Sequence, residues 1–385
     1  MGKDMGDYIK HSDYYPTFVI LQPTSFCNIS CEYCYLPQTE RNKRKIMDEK
    51  ILIATAKLVL SSKNLGDHIS FVWHAGEPLT LPIEFYEKSF EIIKSLNKFN
   101  LKIYHRIQTN GTLINSSWIN LFKKWDISVG ISIDPPKFVH DKYRTDRGGN
   151  GTFDKVVKSI ELLNKENYPF HVITTLTPEA LNYPEEIWKF YEENDIKNVS
   201  LNPVSIDGFN KTISLSSSVA YNKFRLFIYK LLKLREQSRK QIFFRWEDME
   251  RLIIENGSQT IRDASQPLKI ITIDSEGNIS TFTPDLATEY HDKYNNFIFG
   301  NILNINSLEI IFDNPKFKEI KKDIDTGITM CKNTCDYFSV CGGGDPAIKL
   351  WENKTFASTE TSECRLSIKA RTDGLLDYLE TLPLK

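Results

Sequence analysis

The chain has 385 residues, 41% hydrophobic and 26% charged, which suffices for one large α/β domain and a smaller one. Its net charge of −1 gives no basic field for nucleic acid or an anionic membrane surface. The N-terminus lacks the basic-then-apolar order of a signal peptide, and no run approaches the roughly 18 apolar residues of a membrane span. We therefore expect a cytoplasmic protein with no nucleic-acid partner and no membrane partner.

From residue 17 to 204, β-rich runs alternate with helical patterns, which favours parallel βαβ units. The predicted strands are 17–22, 69–74, 102–107, 127–133, 170–176 and 198–203. Asp48 is the predicted cap of the first helix, and the clearest amphipathic helix covers 153–163. Further helices are predicted around 86–93, 118–122 and 183–194. The sequence thus predicts six βα repeats.

Polar, glycine and proline residues follow the predicted strands. In βα barrels and open α/β sheets, functional sites gather at the C-terminal ends of the strands. Here those ends carry, in chain order, the cysteine loop Cys27–Cys34, the turn Gly76-Glu77-Pro78, Asn110, and the pair Ser132 and Asp134. These features are therefore expected to converge on one site.

The remaining segments depart from the repeat pattern. Residues 1–16 are an N-terminal extension. Residues 205–268 predict a helical bridge that packs against the core, with a binding surface for a partner peptide as the alternative. The apolar residues of that bridge are Phe224, Phe227, Ile228, Leu231 and Leu234, followed by Phe243, Phe244, Trp246 and Met249. A β-hairpin with its turn at 274–278 opens the C-terminal unit, 269–385.

Seven cysteines occur in two groups, and a cytosolic protein is expected to use them as metal ligands, nucleophiles or core residues rather than in disulfides. The first group is Cys27, Cys31 and Cys34, spaced C-x3-C-x2-C. A structural zinc site takes four protein ligands, and iron–sulfur clusters usually take four cysteines. Three cysteines therefore leave one cluster iron open, although a zinc site completed by a distant residue remains an alternative.

The second group is Cys331, Cys335, Cys341 and Cys364, with Gly342, Gly343 and Gly344 following the third cysteine. Four cysteines fully ligate one [4Fe–4S] cluster. The glycines would let the backbone wrap closely around it. A zinc ribbon has the same ligand count, and the spacing alone does not separate the two.

The cysteine loop with Tyr33, the turn Gly76-Glu77-Pro78, the run Gln108-Thr109-Asn110-Gly111 and the pair Ser132 and Asp134 together resemble the ordered landmarks of radical S-adenosylmethionine (SAM) enzymes of the SPASM group. The resemblance implies an α/β fold: a partial (β/α)6 TIM-like radical SAM barrel over 17–204 and a C-terminal cysteine-rich SPASM/twitch-like iron–sulfur domain. It also implies a SAM-binding [4Fe–4S] cluster on the first cysteines and one auxiliary [4Fe–4S] cluster on the second.

The same resemblance implies a set of SAM-binding residues. They are His74, Gly76, Glu77, Asn110, Ser132, Asp134 and Arg144. Gly76 and Glu77 would contact the amino group of SAM, Ser132 the ribose, and Arg144 the carboxylate. His140 and Asp141 would orient the loop that leads to Arg144.

One residue departs from the family pattern. Ala75 stands where the family usually has glycine, in Gly-Gly-Glu-Pro. A methyl group is tolerable there unless the residue needs a positive φ. The departure therefore weakens the resemblance only slightly.

The stretches around Cys341 and Cys364, and the absence of cysteine from the hairpin, resemble a subgroup of cyclophane-forming peptide maturases. This implies a ribosomally synthesised precursor peptide as partner, in which an aromatic ring carbon is joined to a Cβ. SAM would be cleaved to a 5′-deoxyadenosyl radical with an electron from an external flavodoxin- or ferredoxin-type donor. A base must take one proton, and Asp285, Glu289 and Tyr290 are candidates without an assignment.

Two alternatives stay open. A thioether-forming peptide maturase or an anaerobic sulfatase maturase shares the radical SAM core, but the latter usually has two auxiliary clusters, and seven cysteines cannot fully ligate three cubanes. A zinc-stabilised binding or redox-sensing protein is the non-enzyme alternative. Release of 5′-deoxyadenosine from SAM would separate these classes.

Overall fold

The computed structural model describes residues 16–62, 65–206, 208, 210, 215, 218–247 and 262–383. Most of the predicted N-terminal extension, and Met249 of the predicted bridge, lie outside the described residues. Within these ranges a mostly parallel sheet organises the α/β fold.

The strands follow the predicted repeats closely. They are β1 Phe18–Leu21, β2 Ile29–Cys31, β3 His68–Trp73, β4 Lys102–Thr109, β5 Ser128–Ser132, β6 Arg144–Asp146, β7 Phe170–Leu176, β8 Asn198–Pro203, β9 Phe243–Phe244, β10 Ile270–Ile273, β11 Asn278–Thr281, β12 Tyr290–His291, β13 Asn295–Asn296 and β14 Gly300–Asn301. In the described part of the chain, ten of them form one sheet in the order β14-β11-β10-β1-β3-β4-β5-β7-β8-β9. The six strands of the predicted repeats are β1, β3, β4, β5, β7 and β8. Each of them pairs in parallel with the next.

The helices also follow the sequence pattern. They are α1 Gln38–Arg41, α2 Glu49–Leu60, α3 Ile83–Leu96, α4 Ser116–Trp125, α5 Lys137–Tyr143, α6 Phe153–Lys165, α7 Pro184–Glu193, α8 Ser218–Gln237, α9 Pro315–Thr334, α10 Phe338–Cys341, α11 Pro346–Asn353, α12 Ser362–Cys364 and α13 Arg371–Glu380. A π-helix, Arg365–Ala370, joins the last two. Asp48 caps α2 as predicted, accepting a hydrogen bond from the Lys50 amide.

The core lies between the sheet and its helices. Trp73 of β3 is fully buried, and its ring packs edge-on against Tyr86 and Phe90 of α3, with centroids 5.3 and 5.5 Å apart. Phe224 and Phe227 of α8 are also buried, so the first part of the bridge packs against the core. No helix of the described residues is long and apolar enough to cross a membrane.

The C-terminal hairpin has an unexpected place in the sheet. Its turn forms as predicted, with Gly277 at φ +84°. However, β10 pairs in parallel with β1, from Phe18 opposite Ile270 to Leu21 opposite Ile273. The barrel sheet therefore continues into residues assigned to the C-terminal unit, and the domain boundaries stay a prediction.

Candidate active site

The first cysteine loop leaves the C-terminal end of β1 and is held by a second, two-stranded sheet. In this sheet β2 pairs antiparallel with β6, which places Cys31 opposite Arg144. Cys27 is buried, and Cys31 and Cys34 are half-buried. Burial and the charge of Glu77 raise the pKa of Cys27 to about 12. A metal centre bound there must therefore displace thiol protons.

Arg147, which follows β6, fastens the start of this loop. Its Nε and Nη2 atoms donate to the Cys27 carbonyl at 2.7 and 2.5 Å, and Nη2 also donates to the Arg41 carbonyl at 2.5 Å. The guanidinium lies 4.7 Å from the centroid of the Phe26 ring. No sequence motif pointed to Arg147.

Asn110, at the end of β4, connects the cysteine loop to the main sheet. Its Nδ2 atom donates to Asn28 Oδ1 at 2.8 Å and lies 3.9 Å from Cys27 Sγ. Asn28 in turn donates to Thr112 Oγ1 at 2.9 Å. The predicted convergence of Asn110 with the cysteines is therefore present in the fold.

The turn after β3 packs directly against the backbone at the start of the cysteine loop. A Cβ on Gly76 would lie 2.5 Å from the Phe26 carbonyl oxygen, so this position accepts only glycine. Ala75 has φ +75°, the left-handed region that costs an L-residue about 1–2 kcal/mol. A methyl group was expected to be tolerable here unless the residue needed a positive φ, and Ala75 does adopt one.

Glu77 joins the ends of β3 and β4 from a buried position. Its carboxylate accepts hydrogen bonds from the Leu79 amide at 2.9 Å, from Thr109 Oγ1 at 2.6 Å and from the Asn110 amide at 2.7 Å. Burial raises its pKa to about 7. These contacts give Glu77 a structural role, and its contact with the amino group of SAM stays a prediction.

A buried ion pair lies on the other side of the loop. Arg144 Nε donates to Asp134 Oδ2 at 2.7 Å, while Asp134 also accepts from the Thr175 amide at 2.8 Å and from the Tyr33 hydroxyl. Arg144 Nη1 lies 3.9 Å from Cys31 Sγ. Because its partner is fully buried, the guanidinium is held in a fixed position beside the thiol.

His140 supports this arrangement from behind. Its Nδ1 atom accepts from the Asp134 amide at 3.2 Å, and its Nε2 atom lies 3.0 Å from Thr152 Oγ1, which donates to the Arg144 carbonyl at 2.8 Å. Burial lowers the pKa of His140 to about 4, so the ring is neutral at pH 7. These contacts connect His140 to the backbone at Asp134 and, through Thr152, at Arg144, and its orienting role stays a prediction.

A cavity of about 1000 Å³ opens over the three cysteines. The predicted residues that line it are Cys27, Cys31, Cys34, His74, Gly76, Asn110, Ser132 and Arg144. Glu77 and Asp134 do not line it and instead hold residues that do. Burial lowers the pKa of His74 to about 4, and its Nε2 atom lies 3.5 Å from the Tyr35 hydroxyl. The cavity wall at this point is therefore polar and uncharged.

The far wall of the cavity comes from the C-terminal region. Its residues there are Arg262, Asp263, Ala264, Asp345, Ile348, Glu363, Ser367, Ile368 and Arg371. Glu363 directly precedes Cys364, and the sequence analysis did not assign it or the arginines. The cavity thus extends from the first cysteine group to the neighbours of the second.

The second cysteine group lies at helix ends. Cys331 is in the last turn of α9, Cys335 caps that helix, Cys341 ends α10 and Cys364 ends α12. Gly342, Gly343 and Gly344 all have positive φ, which matches the expected tight wrapping of the backbone. Four thiols with no disulfide among them form a donor set that suits an iron–sulfur cluster.

Within the described ranges, no three His, Cys, Asp or Glu side chains come close enough together to hold a single metal ion. Of the candidate bases, Tyr290 is 69% exposed. Burial and the charges of Asp345 and Glu289 raise the pKa of Asp285 to about 7. The candidate bases do not line the cavity, but Asp345 does.

Comparison with known proteins accounts for this arrangement. The profile of the radical SAM superfamily matches residues 21–191. An uncharacterized protein of Synechocystis sp. is 37% identical over 375 residues, which cover 96% of this chain and 94% of that protein. The chain belongs to the radical SAM superfamily. It is a radical SAM enzyme of α/β fold, and the resemblance drawn from its motifs is confirmed at that level.

Two further similarities cover the C-terminal region of this radical SAM protein as well. The cysteine-type anaerobic sulfatase-maturating enzyme of Clostridium perfringens is 28% identical over 340 residues, covering 86% of this chain and 88% of that enzyme. The solved structure of native anSMEcpe with bound AdoMet and the Cp18Cys peptide is 25% identical, with a TM-score of 0.74 over 95% of this chain and 96% of that chain. Radical SAM enzymes bind a [4Fe–4S] cluster and SAM, and the three cysteines around the cavity fit that requirement.

Proposed function

We propose that this radical SAM enzyme is a peptide maturase that forms a cyclophane in a ribosomally synthesised precursor peptide, joining an aromatic ring carbon to a Cβ. The observation that carries the proposal is the cavity that extends from the first cysteine group to residues adjacent to the second, such as Glu363. A peptide segment in it would lie between a SAM-binding site and a second redox centre. The absence of cysteine from the hairpin β10–β11 supports the assignment of one auxiliary centre.

The chemistry divides between bound groups and the chain's own residues. When bound, the SAM cluster and SAM supply homolytic cleavage of SAM and removal of a Cβ hydrogen atom, and the auxiliary cluster supplies an electron acceptor. Arg144 would hold the carboxylate of SAM, because its guanidinium lines the cavity and is fixed there by its ion pair with Asp134. Gly76 would contact the amino group through its backbone, and Ser132 the ribose.

Crosslinking is a net two-electron oxidation of the peptide. Joining the two carbons removes two hydrogens from the peptide: one leaves as a hydrogen atom, and the other as a proton and an electron. Cys331, Cys335, Cys341 and Cys364 would hold the group that accepts the electron, and a base would take the proton. An external flavodoxin- or ferredoxin-type protein would supply the electron that starts each cycle.

A second candidate is maturation of a sulfatase. The similarity to the Clostridium perfringens enzyme over 86% of this chain favours it, as does the fold shared with a peptide-bound structure. In both cases the substrate is a peptide or protein segment. The two candidates differ in whether one residue is modified or two are joined.

Co-expression with small peptides encoded next to the gene tests the proposal. We expect a mass loss of about 2 per crosslink, because two hydrogens are removed. Tandem mass spectrometry should show suppressed backbone cleavage between the two joined residues. A change confined to a single Cys or Ser would contradict crosslinking and support the sulfatase candidate.

A further inference from the structure

Lys349, in the middle of α11, is a buried cation beside the second cysteine group. Its side chain is 3% exposed, whereas lysines are almost never fully buried unless they are paired. The Nζ atom donates to the Gly327 carbonyl at 3.1 Å and lies 3.4 Å from Cys331 Sγ. No carboxylate of the described residues lies within 4.0 Å of Nζ. Among the described residues, the Cys331 sulfur is therefore the side-chain atom that Nζ contacts, and it would be anionic when it ligates a cluster.

The backbone around Lys349 leaves room for this side chain. A Cβ on Gly327 would lie 3.1 Å from Nζ and 2.2 Å from the Phe356 carbonyl oxygen. A Cβ on Gly344, in the glycine run after Cys341, would lie 3.3 Å from Lys349 Cε. Glycines on two different segments thus border the end of the lysine side chain. The contact between Nζ and Cys331 is part of the fold's packing and not a surface encounter.

The burial of this ammonium group needs compensation. A buried charge is stable only when an opposite charge or a full set of hydrogen bonds replaces the water it has lost. A thiolate-ligated cubane carries a net negative charge, which grows by one on one-electron reduction. A cation fixed against one of its sulfurs therefore stabilises the reduced form more than the oxidised form.

We propose that Lys349 positions a fixed positive charge against Cys331 Sγ and thereby raises the reduction potential of the auxiliary cluster. The proposal rests on the assignment, made in the proposed function, of a cluster to the second cysteine group. In that function the four-cysteine site takes up the electron released when the aromatic ring is restored. A higher potential at that site favours this transfer.

The test uses the full-length chain with Cys27, Cys31 and Cys34 replaced by Ala, so that only the auxiliary cluster remains after anaerobic reconstitution. Its potential is measured by redox titration followed by electron paramagnetic resonance. At the potential that half-reduces the parent cluster, Lys349→Met should lower the reduced-to-oxidised ratio at least tenfold, a shift of about 59 mV for one electron. Lys349→Arg should keep the ratio within about threefold of the parent's.

Lys354 provides the matched control. It ends the same helix, is exposed, and donates to the Trp351 carbonyl at 2.7 Å rather than to a sulfur. Lys354→Met should leave the potential unchanged. An equal shift in both Met variants would overturn the proposal, because it would show a general effect of surface charge.

The remaining outcomes are distinct. An unchanged potential in Lys349→Met, with iron still bound, would overturn the role of Lys349 alone. Loss of iron in Lys349→Met but not in Lys349→Arg would support the need for a positive charge, whereas loss in both would overturn it. A parent protein that binds no iron would instead overturn the cluster assignment itself.

Discussion

Cys27, Cys31 and Cys34 lie in the segment that follows the C-terminal end of β1, whereas Cys331, Cys335, Cys341 and Cys364 lie at the ends of helices. The first group lines the cavity and the second does not. An open coordination position needs access for a small molecule, while a fully ligated cluster needs only electron transfer. The comparison therefore supports the proposed division of roles, with SAM chemistry at the first group and electron uptake at the second.

The two regions also differ in the charges around their thiols. The first has Arg144 3.9 Å from Cys31 Sγ, with the guanidinium already paired to Asp134. The second has Lys349 3.4 Å from Cys331 Sγ, with no paired carboxylate among the described residues. Asp134 largely neutralises the positive charge of Arg144. The positive charge of Lys349 can instead act on the Cys331 sulfur. The difference between the two cysteine groups can be tested by substitution, as follows.

The largest effect is expected from removing the first group. Replacing Cys27, Cys31 and Cys34 with Ala should abolish SAM cleavage and peptide product together, since no other described cysteine lines the cavity. The measurement is 5′-deoxyadenosine, quantified after anaerobic incubation with SAM and a reductant. Retained SAM cleavage would show that the chemistry belongs elsewhere.

Removing one member of the second group should separate the two functions. Cys364→Ala should lower auxiliary iron and peptide product while sparing some SAM cleavage, because Cys364 does not line the cavity. Iron analysis and product mass spectrometry on the same preparation measure both effects. Complete loss of SAM cleavage with the first cluster intact would contradict the division of roles.

Breaking the buried pair beside the first group should destabilise the protein. Asp134→Asn leaves Arg144 buried without its counter-charge, and we expect the free energy of unfolding to fall by about 3–5 kcal/mol. Lys137→Met is the control, because it removes an exposed pair with Asp154 and should cost less than about 1 kcal/mol. Denaturant unfolding measures both variants. An equal loss of unfolding free energy in the two would show that the buried pair stabilises the protein no more than the exposed pair does.

Loosening the attachment of the cysteine loop should have a smaller effect. Arg147→Met removes the hydrogen bonds to the Cys27 carbonyl and should lower the free energy of unfolding by about 1 kcal/mol. Iron bound by the first group should also decrease. Arg44→Met is the matched control, since Arg44 also lies over the Phe26 ring, 4.4 Å from its centroid, and should retain full iron. Equal iron loss in both would assign the effect to the ring contact.

The smallest expected effect is at the turn after β3. Ala75→Gly relieves a positive φ but gives the unfolded chain more freedom, so the free energy of unfolding should rise by about 1 kcal/mol or less. Thermal unfolding of the two proteins measures the difference. A clear destabilisation would show that the Ala75 methyl group makes a packing contribution larger than its backbone strain.

Local patterns were sufficient to predict the repeats of the first region. The segments 170–176 and 198–203 match β7 and β8 in both ends, because alternation and turn residues lie next to each other in the chain. The convergence of Asn110 and Ser132 with the cysteines followed from the rule that parallel strands end at one edge.

Other features depend on contacts between distant segments. The pairing of β10 with β1 joins residues about 250 positions apart, which no local pattern encodes. The positive φ of Ala75 and the hydrogen bonds of Arg147 arise from the backbone of the cysteine loop packing against its neighbours. Lys349 of α11 lies beside Cys331 of α9 because these two helices meet there. The sequence around Lys349 alone would predict an exposed surface lysine.

The most direct test of the central claim, a cubane with one iron left open for SAM, is metal analysis of the anaerobically reconstituted wild-type protein combined with a SAM cleavage assay. The account predicts about eight iron per chain and release of 5′-deoxyadenosine under reducing conditions. One zinc ion bound at Cys27, Cys31 and Cys34, with no nucleoside released, would contradict it.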